Sequence, residues 1–270
     1  MSIFLPLSIA IITYNEECNL ERCLQSVADL AREVVVVDSG SSDRTLEIAQ
    51  KFGAIIHRQS WLGYRDQKNW ALDHCSQPWV LALDADEEIS SELKKEILDF
   101  FKKGDNQKFA GARFPRKTWF LGRWIRYGDW YPDFQLRLFR RDKGRWKEPI
   151  HEFVEVQGTV STFSADLLHY SFPSMNRYID KINPFADEFL KKQVAQNKSW
   201  SLCETLTRPI WRFFRGYILR RGFLDGFPGL WIAVATAFST FVRYSRGYEL
   251  QATGCRLQAT EKKSSRTESS

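Results

Sequence analysis

The chain has 270 residues, 43% hydrophobic and 27% charged, which is enough for one large globular domain with an appendage. Its formal charge of +6 and pI near 9.0 are too mild to select a nucleic-acid or membrane partner by themselves. Five scattered cysteines (Cys18, Cys23, Cys75, Cys203 and Cys255) form no C-x-x-C pair and meet no histidine cluster, which argues against a disulfide framework or a zinc site and suits a reducing, cytosolic chain.

The apolar run at residues 3–12 lacks a cationic lead and a small-residue cleavage site, so it reads as a first core strand and not as a signal peptide. Short apolar runs at residues 7–13, 34–38, 54–57 and 79–84 alternate with helix-period stretches, the pattern of a parallel sheet with crossover helices. Leu20, Cys23, Leu24, Val27 and Leu30 mark one buried helix face. A second helix follows the cap-like Ser41, Ser42 and Asp43 and stops at Gly53. A third covers residues 66–74. In a fourth, Ile89, Leu93, Ile97 and Phe100 form the apolar stripe, with Glu87 and Glu88 in its first turn. Strands at residues 109–113, 135–140 and 150–156 then flank a segment rich in tryptophan, tyrosine and arginine, so the sheet is expected to be mixed. Beyond His169 the chain turns helical, Pro184 is expected to break or kink one helix, and the polar tail at 251–270 is expected to be disordered.

In such a sheet ligands collect beyond the carboxyl ends of the strands. Those ends carry Thr13, Asn15 and Glu16, then Asp38, then Asp84 and Asp86, all expected in one cleft. No G-x-G-x-x-G or G-x-x-x-x-G-K-[ST] loop is present to cradle phosphate. An uncharged strand that delivers Asp84 and Asp86 together offers two hard carboxylates to Mg²⁺ or Mn²⁺, whose remaining ligands are often substrate phosphates. The competing reading is a solvated turn before a helix.

"LSIAIITYNEECNLERCLQSV", "VVVVDSGSSDRTLEIA", "KNWAL" and "VLALDADEE" together resemble the nucleotide-sugar-binding half of a family 2 inverting glycosyltransferase of the GT-A fold. The later "DFQLRLFRR" and "PIHEFVEV" are similar to a subgroup related to the bacterial lipopolysaccharide core β-1,4-glucosyltransferases. This resemblance implies an α/β, Rossmann-like nucleotide-sugar domain with a mixed sheet over residues 1–170, its donor half at about 1–100 and its acceptor half at about 101–170. It implies that Thr13, Asn15, Glu16 and Asp38 hold a nucleotide, usually uridine, with Asp38 accepting from the uracil ring. Lys68 and Asn69 then approach the diphosphate or donor sugar. Asp84 and Asp86 bind the metal, and His151 either joins them or orients the acceptor. Glu152 is the expected general base that takes the acceptor hydroxyl's proton, with Asp133 as the alternative. The "ED" and "QxxRW" pairings of processive synthases are lacking, which favours transfer of a single sugar, such as glucose from UDP-glucose, to a glycan or lipid-linked acceptor in cell-envelope synthesis.

Between Arg208 and Arg243 lie six arginines and one acid, Asp225, interleaved with aromatics. The uncharged stretch 226–242 is 17 residues, at the short edge for crossing a bilayer. The region 171–250 is therefore expected either to lie on an anionic membrane surface, at the inner face of the cytoplasmic membrane, or to pack on the core with solvated arginines. No recognised DNA- or RNA-binding module accompanies it, so no nucleic-acid partner is expected. Two competing functions are an aspartyl-phosphate phosphohydrolase, which would want its motif on the first strand, and a catalytically inactive binding module.

Overall fold

A computed structural model describes residues 4–148, 153–171 and 174–253. The chain divides into two units, one formed by Met1–Arg126 with Trp130–Ser171 and the other by Tyr127–Asp129 with Phe172–Ser270.

The first unit is an α/β layer structure. Its strands are β1 (Leu5–Thr13), β2 (Ala31–Asp38), β3 (Ile55–Arg58), β4 (Trp79–Asp84), β5 (Glu87–Ile89), β6 (Gly111–Phe120), β7 (Arg123–Trp124), β8 (Asp133–Arg140), β9 (Gly144–Lys147), β10 (Phe153–Val156), β11 (Val160–Thr162) and β12 (Leu167–His169). The helices are α1 (Leu20–Val27), α2 (Thr45–Lys51), α3 (Tyr64–Asp73), α4 (Ser91–Lys102) and α5 (Asp105–Lys108). The main sheet runs β3-β2-β1-β4-β8-β6-β12-β5, with β7 and β11 also on β6. Strands β1 to β4 pair in parallel, and β8 joins both β4 and β6 antiparallel, so the sheet is mixed as expected. β9 and β10 form a separate antiparallel hairpin.

β1 and β4 can be almost wholly apolar because helices cover both faces of the parallel part. Leu7, Ile9 and Ile11 are fully buried and face α1 and α4, while Ala10, Val35, Val37, Val80 and Ala82 pack toward α3 and the β9 hairpin. Gly53, at φ 68°, takes the left-handed turn that ends α2, as its position after the helix suggested.

One local expectation is corrected. Glu87 and Glu88 lie in β5, paired antiparallel with β12, and the α4 cap is Ser90, whose Oγ accepts from Leu93 N at 3.1 Å. Acids beside a helix start suit its first turn, but the β12 backbone offers β5 a ladder that local sequence cannot reveal.

The second unit contains α6 (Met175–Asp180), α7 (Ile182–Ala195), α8 (Leu202–Phe214) and α9 (Gly226–Thr253). Pro184 sits in the first turn of α7, where its missing N–H costs nothing, and the helical break precedes it at Lys181. Asp129, with only 4% of its side chain exposed, gathers Arg212, Arg215 and Arg220 at 2.8, 2.8 and 3.2 Å. No helix among the described residues is long and apolar enough to cross a membrane. The tail beyond Thr253 lies outside the described residues.

Candidate active site

Strand register brings the expected residues together. On β1, Thr13 faces Asp38 across one ladder, and its neighbour Ile12 faces Asp84 across the other. The carboxyl ends of three strands therefore share one edge, at the point where the strand order reverses.

The loops leaving β1 and β2 are stitched to each other. Asn15, at φ 53°, takes a left-handed turn that asparagine tolerates. Its N–H donates to Ser41 Oγ at 2.8 Å, and its side-chain carbonyl accepts from Ser42 N at 2.9 Å. Glu16 N donates to Thr45 Oγ1 at 2.8 Å and Glu17 N to Asp43 Oδ2 at 3.1 Å. Asp38 is fully buried beneath them. Its Oδ1 accepts from the backbone N–H groups of Gly40 and Ser41 at 2.9 Å each, and its Oδ2 accepts from the hydroxyls of Thr13 and Ser41. Four donors fill a carboxylate's capacity. A nucleobase N–H would have to replace one of the two hydroxyls.

Asp84 lies between two cations. Its Oδ1 is 2.8 Å from Lys68 Nζ and its Oδ2 is 2.6 Å from an Arg137 guanidinium nitrogen. The same Arg137 nitrogen donates to Glu87 Oε1 at 2.8 Å, an oxygen that Arg116 also approaches at 3.3 Å. Glu87 Oε2 accepts Asp84 N–H at 2.9 Å. The indole of Trp146 supports both cations, with Lys68 4.5 Å and Arg137 5.4 Å from its ring centre. Burial opposes ionisation of Asp84, but the charges of Arg137 and then Lys68 outweigh it and hold the carboxyl well below the usual carboxylate range. Burial would likewise lower Arg137, and Asp84 and Glu87 reverse this and raise it. Asp84 and Glu87 of "DADEE" thus belong to a lattice of alternating charge, and Asp84, expected as a metal ligand, has each oxygen in an ion pair.

Both ends of the Asn69 amide are spent on the Trp146 main chain, Nδ2 donating to its carbonyl at 3.1 Å and Oδ1 accepting its N–H at 3.0 Å. This ties the β9 hairpin to α3 and fixes the indole beneath Lys68. Asp133, the alternative base, accepts from Arg116 at 2.7 Å and from Gln135 at 2.9 Å. Asp86 Oδ2 stands 3.4 Å from His169 Nε2, and a quarter of its side chain is open. Glu16 is raised first by burial, against a bond from Asn19, and further by the charges of Asp86, Asp43 and Asp84.

Among the described residues no three His, Cys, Asp or Glu side chains converge as a metal site. Asp86, with a quarter of its side chain open, is compatible with a hard cation, because Mg²⁺ is commonly held by one or two carboxylates completed by water and substrate phosphates. His151 and Glu152 lie outside the described residues.

Sequence reading missed Glu87, Arg116, Trp146 and His169 as parts of this region. Arg137 alone had a signal, a charge on a strand of mixed burial. Glu87 could be suspected only by asking what neutralises four acids in five positions. His169, at the end of the apolar "LLH" of β12, carries no local mark.

Comparison with known proteins places these residues in context. The family model described as Glycosyl transferase family 2 matches residues 8–159, more than half the chain. An uncharacterised glycosyltransferase of Rickettsia typhi is 31% identical over 256 residues, spanning 90% of this chain and 87% of its own. The lipopolysaccharide core biosynthesis glycosyltransferase LpsC of Rhizobium meliloti is 32% identical over 256 residues, spanning 89% and 94%. Among solved structures, residues 1–349 of S. aureus TarS align over 93% of each chain at 16% identity with a TM-score of 0.45. At that distance nothing about ligands or residues is transferred from it.

Proposed function

This chain belongs to glycosyl transferase family 2 and is a glycosyltransferase; we propose that it inverts configuration while moving one sugar from a nucleotide-sugar donor, a UDP-sugar such as UDP-glucose, to a hydroxyl of a glycan or lipid-linked acceptor. The observation that carries the donor reading is the common sheet edge on which Thr13, Asn15, Glu16 and Asp38 stand beside Asp84 and Asp86. The stitched loops form a polar platform for base and ribose, with Ser41 as the group exchanged when the base binds Asp38. Lys68 and Arg137, already desolvated against Asp84, are positioned to meet negative charge on a leaving diphosphate without reorganising solvent.

Asp86, joined by His151, would hold Mg²⁺ or Mn²⁺, and the ion would supply Lewis-acid stabilisation of the departing diphosphate. Glu152 is the proposed base for the acceptor hydroxyl. Asp133, held by Arg116 and Gln135, is the alternative. The similarity to a protein named for lipopolysaccharide core biosynthesis supports an envelope-glycan acceptor, and the proposed place of transfer is the inner face of the cytoplasmic membrane. Family membership sets the aspartyl-phosphate phosphohydrolase reading aside.

The test is calorimetric titration of nucleotide diphosphates and their sugars, with and without Mn²⁺, paired with a transfer assay. Asp86→Ala should lose the metal-dependent part of donor binding. Glu152→Gln should bind donor normally and transfer nothing. Absence of binding by every nucleotide sugar would sink the donor assignment and leave a catalytically inactive module as the better reading.

A further inference from the structure

In the helical unit, α8 and the first part of α9 are built inside out. Along α9 no charged residue occurs between positions 226 and 242, and apart from Gly226 every exposed residue there is a large apolar one. Phe227, Leu230, Val234, Phe238 and Phe241 are 63, 36, 51, 54 and 43% exposed. The face turned inward instead carries Thr236, Ser239 and Thr240 beside Gly229, Ile232 and Ala233. α8 repeats the pattern, with Leu202, Leu206, Ile210 and Phe214 outward at four-residue spacing and Thr205 and Pro209 inward. A helix whose outer face meets water has the opposite polarity, whereas small and hydroxyl residues inside with bulky apolar ones outside suit helices surrounded by lipid.

Charge selects the occupant. The segment from Arg208 to Arg243 has six arginines against one acid, and that acid, Asp225, is fully buried. Arg208, Arg220 and Arg221 are exposed among the apolar residues, Arg208 with one nitrogen on Glu204 at 2.9 Å and Arg220 with one on Asp129 at 3.2 Å. A second copy of the chain would bring arginine against arginine, while anionic headgroups over an apolar interior match both components. No helix among the described residues is long and apolar enough to cross, so the proposed mode is in-plane.

We propose that the exposed faces of α8 and α9 are a monotopic docking surface that inserts into the outer acyl region of an anionic bilayer, with Arg208, Arg220 and Arg221 at the headgroups. It rests on the helical unit alone, so its failure would leave the donor chemistry untouched. The test is flotation of the full chain with phosphatidylcholine vesicles containing or lacking about 30% phosphatidylglycerol, at about 0.1 M and about 0.5 M salt. The protein should float with the anionic vesicles and be released in part by salt. Ile210→Glu and Phe238→Glu, both at open positions, should each lower the partition coefficient by about 30-fold or more, with circular dichroism and donor binding unchanged. Failure to float with either vesicle overturns the proposal, as does equal flotation by the two variants. A concentration-dependent dimer without vesicle binding, abolished by the same substitutions, would assign the face to a second copy instead.

Discussion

Replacing Arg137 with methionine removes the centre of the charge lattice. The residue is 3% exposed, and one guanidinium nitrogen makes charge-assisted bonds of 2.6 Å to Asp84 and 2.8 Å to Glu87. At about 1.5 to 3 kcal/mol each, the gross loss is about 3 to 6 kcal/mol. Four features reduce it. Lys68 still holds Asp84, Arg116 still reaches the fully buried Glu87 side chain, and the mutual repulsion of Arg116 and Arg137 is relieved. Arg137 Nε, buried without a hydrogen-bond partner, also ceases to be a cost. The expected net destabilisation is about 3 kcal/mol, near the lower bound for breaking a buried pair, or about 6 to 12 °C in midpoint. Urea unfolding followed by circular dichroism measures it. Adding Glu87→Gln should restore about 1 kcal/mol by removing a buried carboxylate left with only Arg116, at 3.3 Å, as its cation. Asp84 gives a further readout through its depressed pKa. Its contribution is present above its ordinary value of 3.8 and is lost as pH falls below about 4, so the variant's acid limb should be shallower. A loss under about 1 kcal/mol with an unchanged acid limb would refute the claim that these ion pairs hold this edge of the sheet.

Asp38→Ala removes the acceptor of four donors and should cost about 2 to 4 kcal/mol and abolish nucleotide binding, read by unfolding and calorimetry; Ser41→Ala, leaving three of the donors, should cost about 1 kcal/mol. Glu16 has a raised pKa, so the folded state binds more protons than the unfolded one and stability declines as pH rises above its ordinary 4.5. Glu16→Gln, which can keep the bond from Asn19, should remove that slope and add about 0.5 kcal/mol at pH about 7 after allowance for solvent screening, measured by urea unfolding across pH. Gly229→Ala places a methyl carbon 1.9 Å from the Gly222 carbonyl oxygen, so it should destabilise the helical unit by more than about 3 kcal/mol while calorimetry still finds donor binding.

The local features of this chain were legible from sequence alone. The strands β1, β2 and β4 and the helix α1 announce themselves because apolar runs and helical spacing reflect burial within a few neighbouring residues. The acids and amides at those strand ends could be placed on one edge because parallel strands release their chains on the same side. Tertiary structure decided what those residues touch. Asp84 meets Arg137, 53 positions later, only because β8 pairs with β4. Glu87 is a buried acid and not a helix-start acid because β12 recruits it into the sheet. Asn69 serves the Trp146 backbone because the β9 hairpin folds over α3. In the helical unit, sequence showed an uncharged stretch beside arginines but not which side faces outward. Hydrophobic pattern records how much apolar surface a segment carries; which partner covers it, and which charge answers a buried charge, depends on strand and helix pairings between residues far apart in the chain.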